Sequence, residues 1–163
     1  MIVLGIDPGT RKTGYGVVRR DGNRLTRIDS GVIRLNDKVP MEERLPELYD
    51  SLNRIIVSNG PDQGAIESLF FSKNASSALK LGHARGVIVL CMQQHQLPVA
   101  SYAPAMVKRS IIGGGRAEKT QIQRVVGAIL GAKSPFQEDE ADALAIAICH
   151  ANALTVGQPR RSC

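Results

Sequence analysis

Residues 138–142 read Glu-Asp-Glu-Ala-Asp and run directly into the apolar stretch 143–148. Acidic groups at the start of a helix meet the positive end of its dipole, which is one reason for such a cluster. A second reason is chemical. Asp139 and Asp142 are three apart and share a face on a helix. Ala141, Ala143, Ala145 and Ala147 would let that helix lie close against a sheet. Two more acids end short apolar runs far upstream: Asp7 follows MIVLGI, and Glu67 follows Gly64-Ala65-Ile66. A charge at the end of a buried strand is costly unless it is paired or binds metal. If those strands are neighbours, the two carboxylates repel each other unless a cation lies between them. Four oxygen donors without a His or Cys cluster favour a hard cation, Mg²⁺ or Mn²⁺. Two such ions can hold the attacking water and the leaving oxygen of a phosphodiester in line. Asp7, Glu67, Asp139 and Asp142 are therefore the candidate metal-ligating and catalytic residues. Glu138 and Glu140 are expected to point elsewhere, as dipole partners or solvated charges.

The elements that must position these groups follow from hydrophobic pattern and punctuation. MIVLGID reads as a buried strand. After the turn PGTRKTG, two strand-like runs flank Asp21-Gly22-Asn23, a hairpin signal. Three antiparallel N-terminal strands result. Leu45, Leu48, Leu52, Ile55 and Ile56 recur at helical spacing, which predicts a helix over 40–58 with Pro40 in its first turn and Gly60-Pro61 after its end. Residues 62–67 form a short strand, free to lie parallel to the first because a helix separates the two. A helix over 76–94, a strand over 97–102, a short helix from Pro104, and helices over 117–130 and 140–153 complete the chain. Asn74 and Ser76 can cap the long helix. Ala78, Gly82 and Gly86 form a small-residue face on it, suited to a partner helix or to tight packing within one subunit. The expected architecture is one α/β domain with a mixed five-stranded sheet over 1–153, followed by a disordered tail, 154–163.

The chain has 163 residues, with 43% hydrophobic and 22% charged content, in the range of a soluble globular domain. No stretch reads as a membrane span or a secretory leader, so the cytoplasm is the default location. Cys91, Cys149 and Cys163 have no paired spacing; the first two sit in apolar runs and are read as small core residues. Net charge is +6, and its placement is uneven. Residues 68–137 carry nine basic groups (Lys73, Lys80, Arg85, Lys108, Arg109, Arg116, Lys119, Arg124, Lys133) against the single acid Glu118. So one-sided a stretch suggests a polyanionic partner, nucleic acid first.

Taken in order, GIDPGTRKTGYGVV, AIESLFFSKNASSALKLGHARG and EDEADALAIAICH resemble the motifs of the RuvC family of bacterial Holliday junction resolvases, over nearly the whole chain from Ile2 to about Ala153. The resemblance implies a ribonuclease H-like fold, a homodimer, Mg²⁺ (with Mn²⁺ as a substitute), and symmetric nicking of two like-polarity strands of a four-way DNA junction. It implies action beside the RuvA–RuvB branch-migration complex. By motif position, the family's acidic residues fall on Asp7, Glu67, Asp139 and Asp142. Phe70 matches the family's aromatic near the strand-exchange point, where it could stack on an unpaired base. Lys108 and Lys119 match basic positions used in junction binding and cleavage; Lys73, Arg85 and Arg116 are further candidates for phosphate contact. Three rival readings exist. One is an RNA-processing relative of the YqgF type, which shares the GIDPGT-like opening. Another is a sugar-kinase or actin-type ATPase, which needs two such domains. The third is a non-catalytic DNA-binding relative.

Overall fold

The computed structural model describes residues 1–68, 74–113 and 119–156. Five strands form one mixed sheet. β1 (Ile2–Asp7), β2 (Lys12–Asp21) and β3 (Arg24–Arg34) are antiparallel neighbours, and β4 (Gln63–Glu67) and β5 (Val99–Tyr102) extend the sheet in parallel with β1. The spatial order is β3-β2-β1-β4-β5. The β2–β3 turn falls on Gly22-Asn23, and Gly22 adopts φ +58°, a conformation glycine enters without steric cost. The crossover from β1 and its hairpin to β4 passes through α1 (Met41–Asn59), one residue displaced from the expected 40–58 and ended by Gly60 in a left-handed cap.

Helices cover both faces. Leu4, Ile6, Val17 and Ile66 pack against Leu48, Leu52 and Ile56 of α1 and Ala84, Ile88 and Met92 of α2 (Ala75–Gln94). The Asn74 side chain accepts the backbone N–H of Ser77 at 3.2 Å and so caps α2. On the other face Val3, Val18 and Ala65 pack against α3 (Pro104–Ile112), α4 (Lys119–Leu130) and α5 (Glu138–Val156). Cys91 and Cys149 are buried, one in each layer.

α5 lies almost directly on the sheet backbone. A Cβ added to Gly5 would stand 2.3 Å from the Ala143 carbonyl oxygen, and one added to Gly14 would stand 1.9 Å from that of Asp139. The helix is longer than expected at both ends. It starts at Glu138 rather than residue 140, because the Gln137 backbone N–H donates to Glu140 Oε2 at 3.2 Å and the Gln137 carbonyl accepts from Ala141. This is the reciprocal half of a capping box. It also continues through Val156, so residues 154–156 of the expected tail belong to the helix; Gly157 is the first helix-breaking residue after it. Residues 157–163 lie outside the described part. Near its far end, the Arg20 guanidinium donates to the Asn152 side chain at 2.7 Å and to the Ala151 carbonyl at 3.2 Å.

Candidate active site

β1 and β4 run in parallel with Ile6 opposite Ile66, so the next residues, Asp7 and Glu67, leave the sheet side by side at one end. Strand alternation decides which face they take. Leu4, Ile6 and Ile66 pack toward α1 and α2, whereas Val3 and Ala65 pack toward α5. Asp7 and Glu67 fall in the second set. Asp7 also pairs with Gly14, whose missing side chain admits the Asp139 backbone. Two strand ends and one helix start thus bring Asp7, Glu67, Asp139 and Asp142 to the same corner of the molecule, each partly buried.

The electrostatics carry the mark of that proximity. Burial raises the Glu67 carboxyl above its ordinary range, the nearby negative charge of Asp142 raises it further, and the Lys108 ammonium pulls it back. Lys108, exposed on α3, is therefore part of the same corner. The donor set is all carboxylate, the chemistry of a hard cation, and like charges drawn together in a half-buried site are what such a cation relieves. Among the described residues no three His, Cys, Asp or Glu side chains converge closely enough to cage an ion as they stand. The carboxylates fit a divalent metal by type and by placement, as an open set rather than a closed shell.

The turn after Asp7 is held from below. The Thr13 hydroxyl, fully buried, donates to the Gly9 carbonyl at 3.1 Å and accepts the Gly9 N–H at 3.3 Å. The Arg44 guanidinium donates to the carbonyls of Thr10 (3.0 Å), Asp37 (2.9 Å) and Val39 (2.8 and 2.6 Å). Neither residue stands out in the sequence, because Arg44 reaches a carbonyl more than thirty residues upstream and acts through backbone alone.

Glu140 corrects the expectation made for it. It is not a solvated charge: only 8% of it is exposed. Ser30 Oγ donates to Glu140 Oε1 at 2.6 Å, and Arg27 Nη1 lies 3.6 Å from the same oxygen. Arg27 also lies over the Phe136 ring, 5.4 Å from its centre, within cation–π range. Glu140 therefore ties the start of α5 to β3. The Gln137–Glu140 spacing is the one sequence signal that could have exposed part of this role. Glu138 is exposed, as expected.

Arg85 is partly buried on α2, where it donates to Ser101 Oγ of β5 at 2.8 Å. Lys119 opens α4, and its side chain lies outside the described part. Phe70, Lys73 and Arg116 also lie outside the described residues.

A five-stranded mixed sheet with carboxylates at the ends of its first and fourth strands, under an acidic helix start, is the frame of a ribonuclease H-like nuclease. The chain belongs to the RuvC family, crossover junction endodeoxyribonuclease RuvC, whose pattern it matches over residues 3–150. The crossover junction endodeoxyribonuclease RuvC of Syntrophotalea carbinolica is 49% identical over 152 residues, covering 93% of this chain and 94% of that protein. That of Sorangium cellulosum is 48% identical over 153 residues, covering 94% and 86%. The structure of T. thermophilus RuvC in complex with a Holliday junction substrate superposes with a TM-score of 0.90 at 32% identity, over 96% of both chains. Membership makes the chain a phosphodiester hydrolase of DNA recombination and repair, and implies a divalent metal requirement. Among the described residues no helix is long and apolar enough to cross a membrane.

Proposed function

We propose that this protein resolves four-way DNA junctions in the cytoplasm by paired, symmetric, Mg²⁺-dependent nicks that leave 5′-phosphate and 3′-hydroxyl ends fit for ligation. The observation that carries the reading is the meeting of Asp7 and Glu67 beneath the start of α5, where burial and then the charge of Asp142 raise the proton affinity of Glu67. Asp7, Glu67 and Asp139 or Asp142 would hold the metal, with Mn²⁺ able to take its place. When bound, the metal supplies positive charge to the phosphate and a Lewis acid for hydrolysis. The chain's own residues do the positioning. Asp7 is fixed by the Thr13 and Arg44 bonds beneath its turn. Asp139 and Asp142 are fixed by the seating of α5 on Gly5 and Gly14. Lys108 brings a cation on a long stem to the rim, suited to steering a phosphate toward Glu67. Lys119, Lys73, Arg85 and Arg116 serve as phosphate contacts, and Phe70 stacks at the exchange point.

Two like nicks call for two sites, and a homodimer supplies them. The α2 face supports this arrangement: Gly82 and Gly86 have nothing within 4 Å of an added Cβ, and Leu79 and Leu90 on the same helix are 62% and 53% exposed. Among the described residues nothing packs against Gly82 or Gly86, which supports the partner-helix reading of the small-residue stripe. The branch-migration complex RuvA–RuvB is the expected partner at the junction. An RNA substrate is the weaker alternative once the family is assigned, and a side-by-side digest of RNA and junction distinguishes the two. The test of the site is Asp7→Asn. The variant is expected to bind a synthetic junction in gel-shift assays as the parent does and to lose nicking in Mg²⁺ by a factor of about 100 or more, roughly the loss seen when a key electrostatic group is removed. Cutting at the parental rate would remove Asp7 from the site.

A further inference from the structure

Basic side chains also collect on the opposite side of α5 from Lys108. The sheet register shows how. Gly14 and Gly16 of β2 face α5, so Lys12, two residues earlier, does too, and its cross-strand partner on β3 is Arg34. Like charges directly opposite on a strand pair are destabilising, yet this pair stands at the carboxylate end of the sheet. Further down the same face of β3, Arg27 is opposite Val18. Across from Arg27 a cleft of about 560 Å³ opens between β3 and the α4–α5 loop, lined by Arg27, Lys133, Phe136 and Glu140 among others. A second cavity of about 360 Å³ adjoins it through Lys133 and is lined by Arg124. Glu140, the acid lining the first cleft, is already engaged by Arg27, Ser30 and the Gln137 N–H.

We propose that this column and cleft form a phosphate-backbone track for a DNA arm leaving the carboxylate site: Lys12 and Arg34 at the site, Arg27 midway, Lys133 and Arg124 beyond. The inference rests on the junction reading and adds a binding surface to it. Edge strands carry cations to discourage pairing with other chains, but that accounts for neither the cations across the cleft nor their collection on the one face that α5 shares with the carboxylates. The track begins beside Asp139, because Arg34 donates to Gln137 Oε1 at 2.7 Å, just before α5. A strand placed over the carboxylates can therefore continue onto it past two acids at the start of α5, the exposed Glu138 and the engaged Glu140.

The test uses Lys133→Ala/Arg124→Ala, two exposed positions away from the carboxylates. Binding is measured against salt on junctions whose arms are long enough to reach the cleft, and on junctions with arms trimmed short of it. On long arms the variant should bind several-fold more weakly. There the slope of log affinity against log salt should become shallower by about 2, near 0.9 for each phosphate that is no longer neutralised. On trimmed arms it should bind and nick like the parent, which also shows that it folds. Parental affinity and slope on long arms would overturn the track, including the case in which the variant instead loses binding to an acidic protein. Failure of the parent itself to bind any junction would overturn the function and the track together.

Discussion

Two buried polar side chains show how much single residues hold in this molecule. Glu140 commits its oxygens to Ser30, Arg27 and the Gln137 N–H. Hydrogen bonds to a charged group are each worth more than neutral ones, so Glu140→Ala should lower unfolding free energy by about 2 kcal/mol, with Glu140→Gln recovering part of it. Urea titrations of the three proteins check this. His150 is 4% exposed; its Nδ1 shares a 2.7 Å hydrogen bond with the Tyr102 hydroxyl, and its Nε2 has no hydrogen-bond partner among the described residues. Burial lowers its pKa from the ordinary 6.5. The unfolded chain then takes up a proton that the folded protein refuses. Stability should be whole above 6.5 and should fall as pH drops below it, down to the depressed folded value. Urea midpoints between about pH 7 and 5.5 should decline in the parent and decline less in His150→Asn. The sequence alone does not announce either role: Ser30 and Arg27 lie more than 100 residues from Glu140, and a histidine in an apolar helix could pack in many ways.

At the scale of elements, the placement of the site depends on α5 resting on glycines. Gly14→Ala would press a methyl to 1.9 Å from the Asp139 carbonyl oxygen. The helix start must then lift, and overpacking of this kind costs about 3 kcal/mol. Nicking should fall with stability, because Asp139 and Asp142 ride on the element that moves; thermal melts and junction cleavage of the same preparation check both. Much of this frame was legible. The order of strands and helices and the small-residue face of α5 follow from period and punctuation in the chain, which also left β4 free to take the parallel place beside β1 that it occupies. The ends of α5 did not: its start is set by a side chain reaching back to Gln137, and the helix runs on to Val156, just before Gly157. The carboxylates were legible as strand-end and helix-start charges. The turn that fixes Asp7 was not, since Arg44 acts through carbonyls, which every sequence has.

Across the whole molecule, charge is divided by place. The carboxylates gather at one corner, and cations flank them on two sides, Lys108 toward β4 and Lys12 and Arg34 toward β3. A polyanion can be held by both flanks while its backbone crosses the acidic corner, where a divalent ion offsets the repulsion. The most direct measurement is to incubate the protein with an end-labelled synthetic four-way junction, with and without Mg²⁺, and to map the cuts on all four strands. No cutting is expected without a divalent ion and, with Mg²⁺, two nicks at matching positions on strands of like polarity, sealed afterwards by ligase. Cutting that persists in chelator, or unpaired nicks on single strands, would contradict the proposed function.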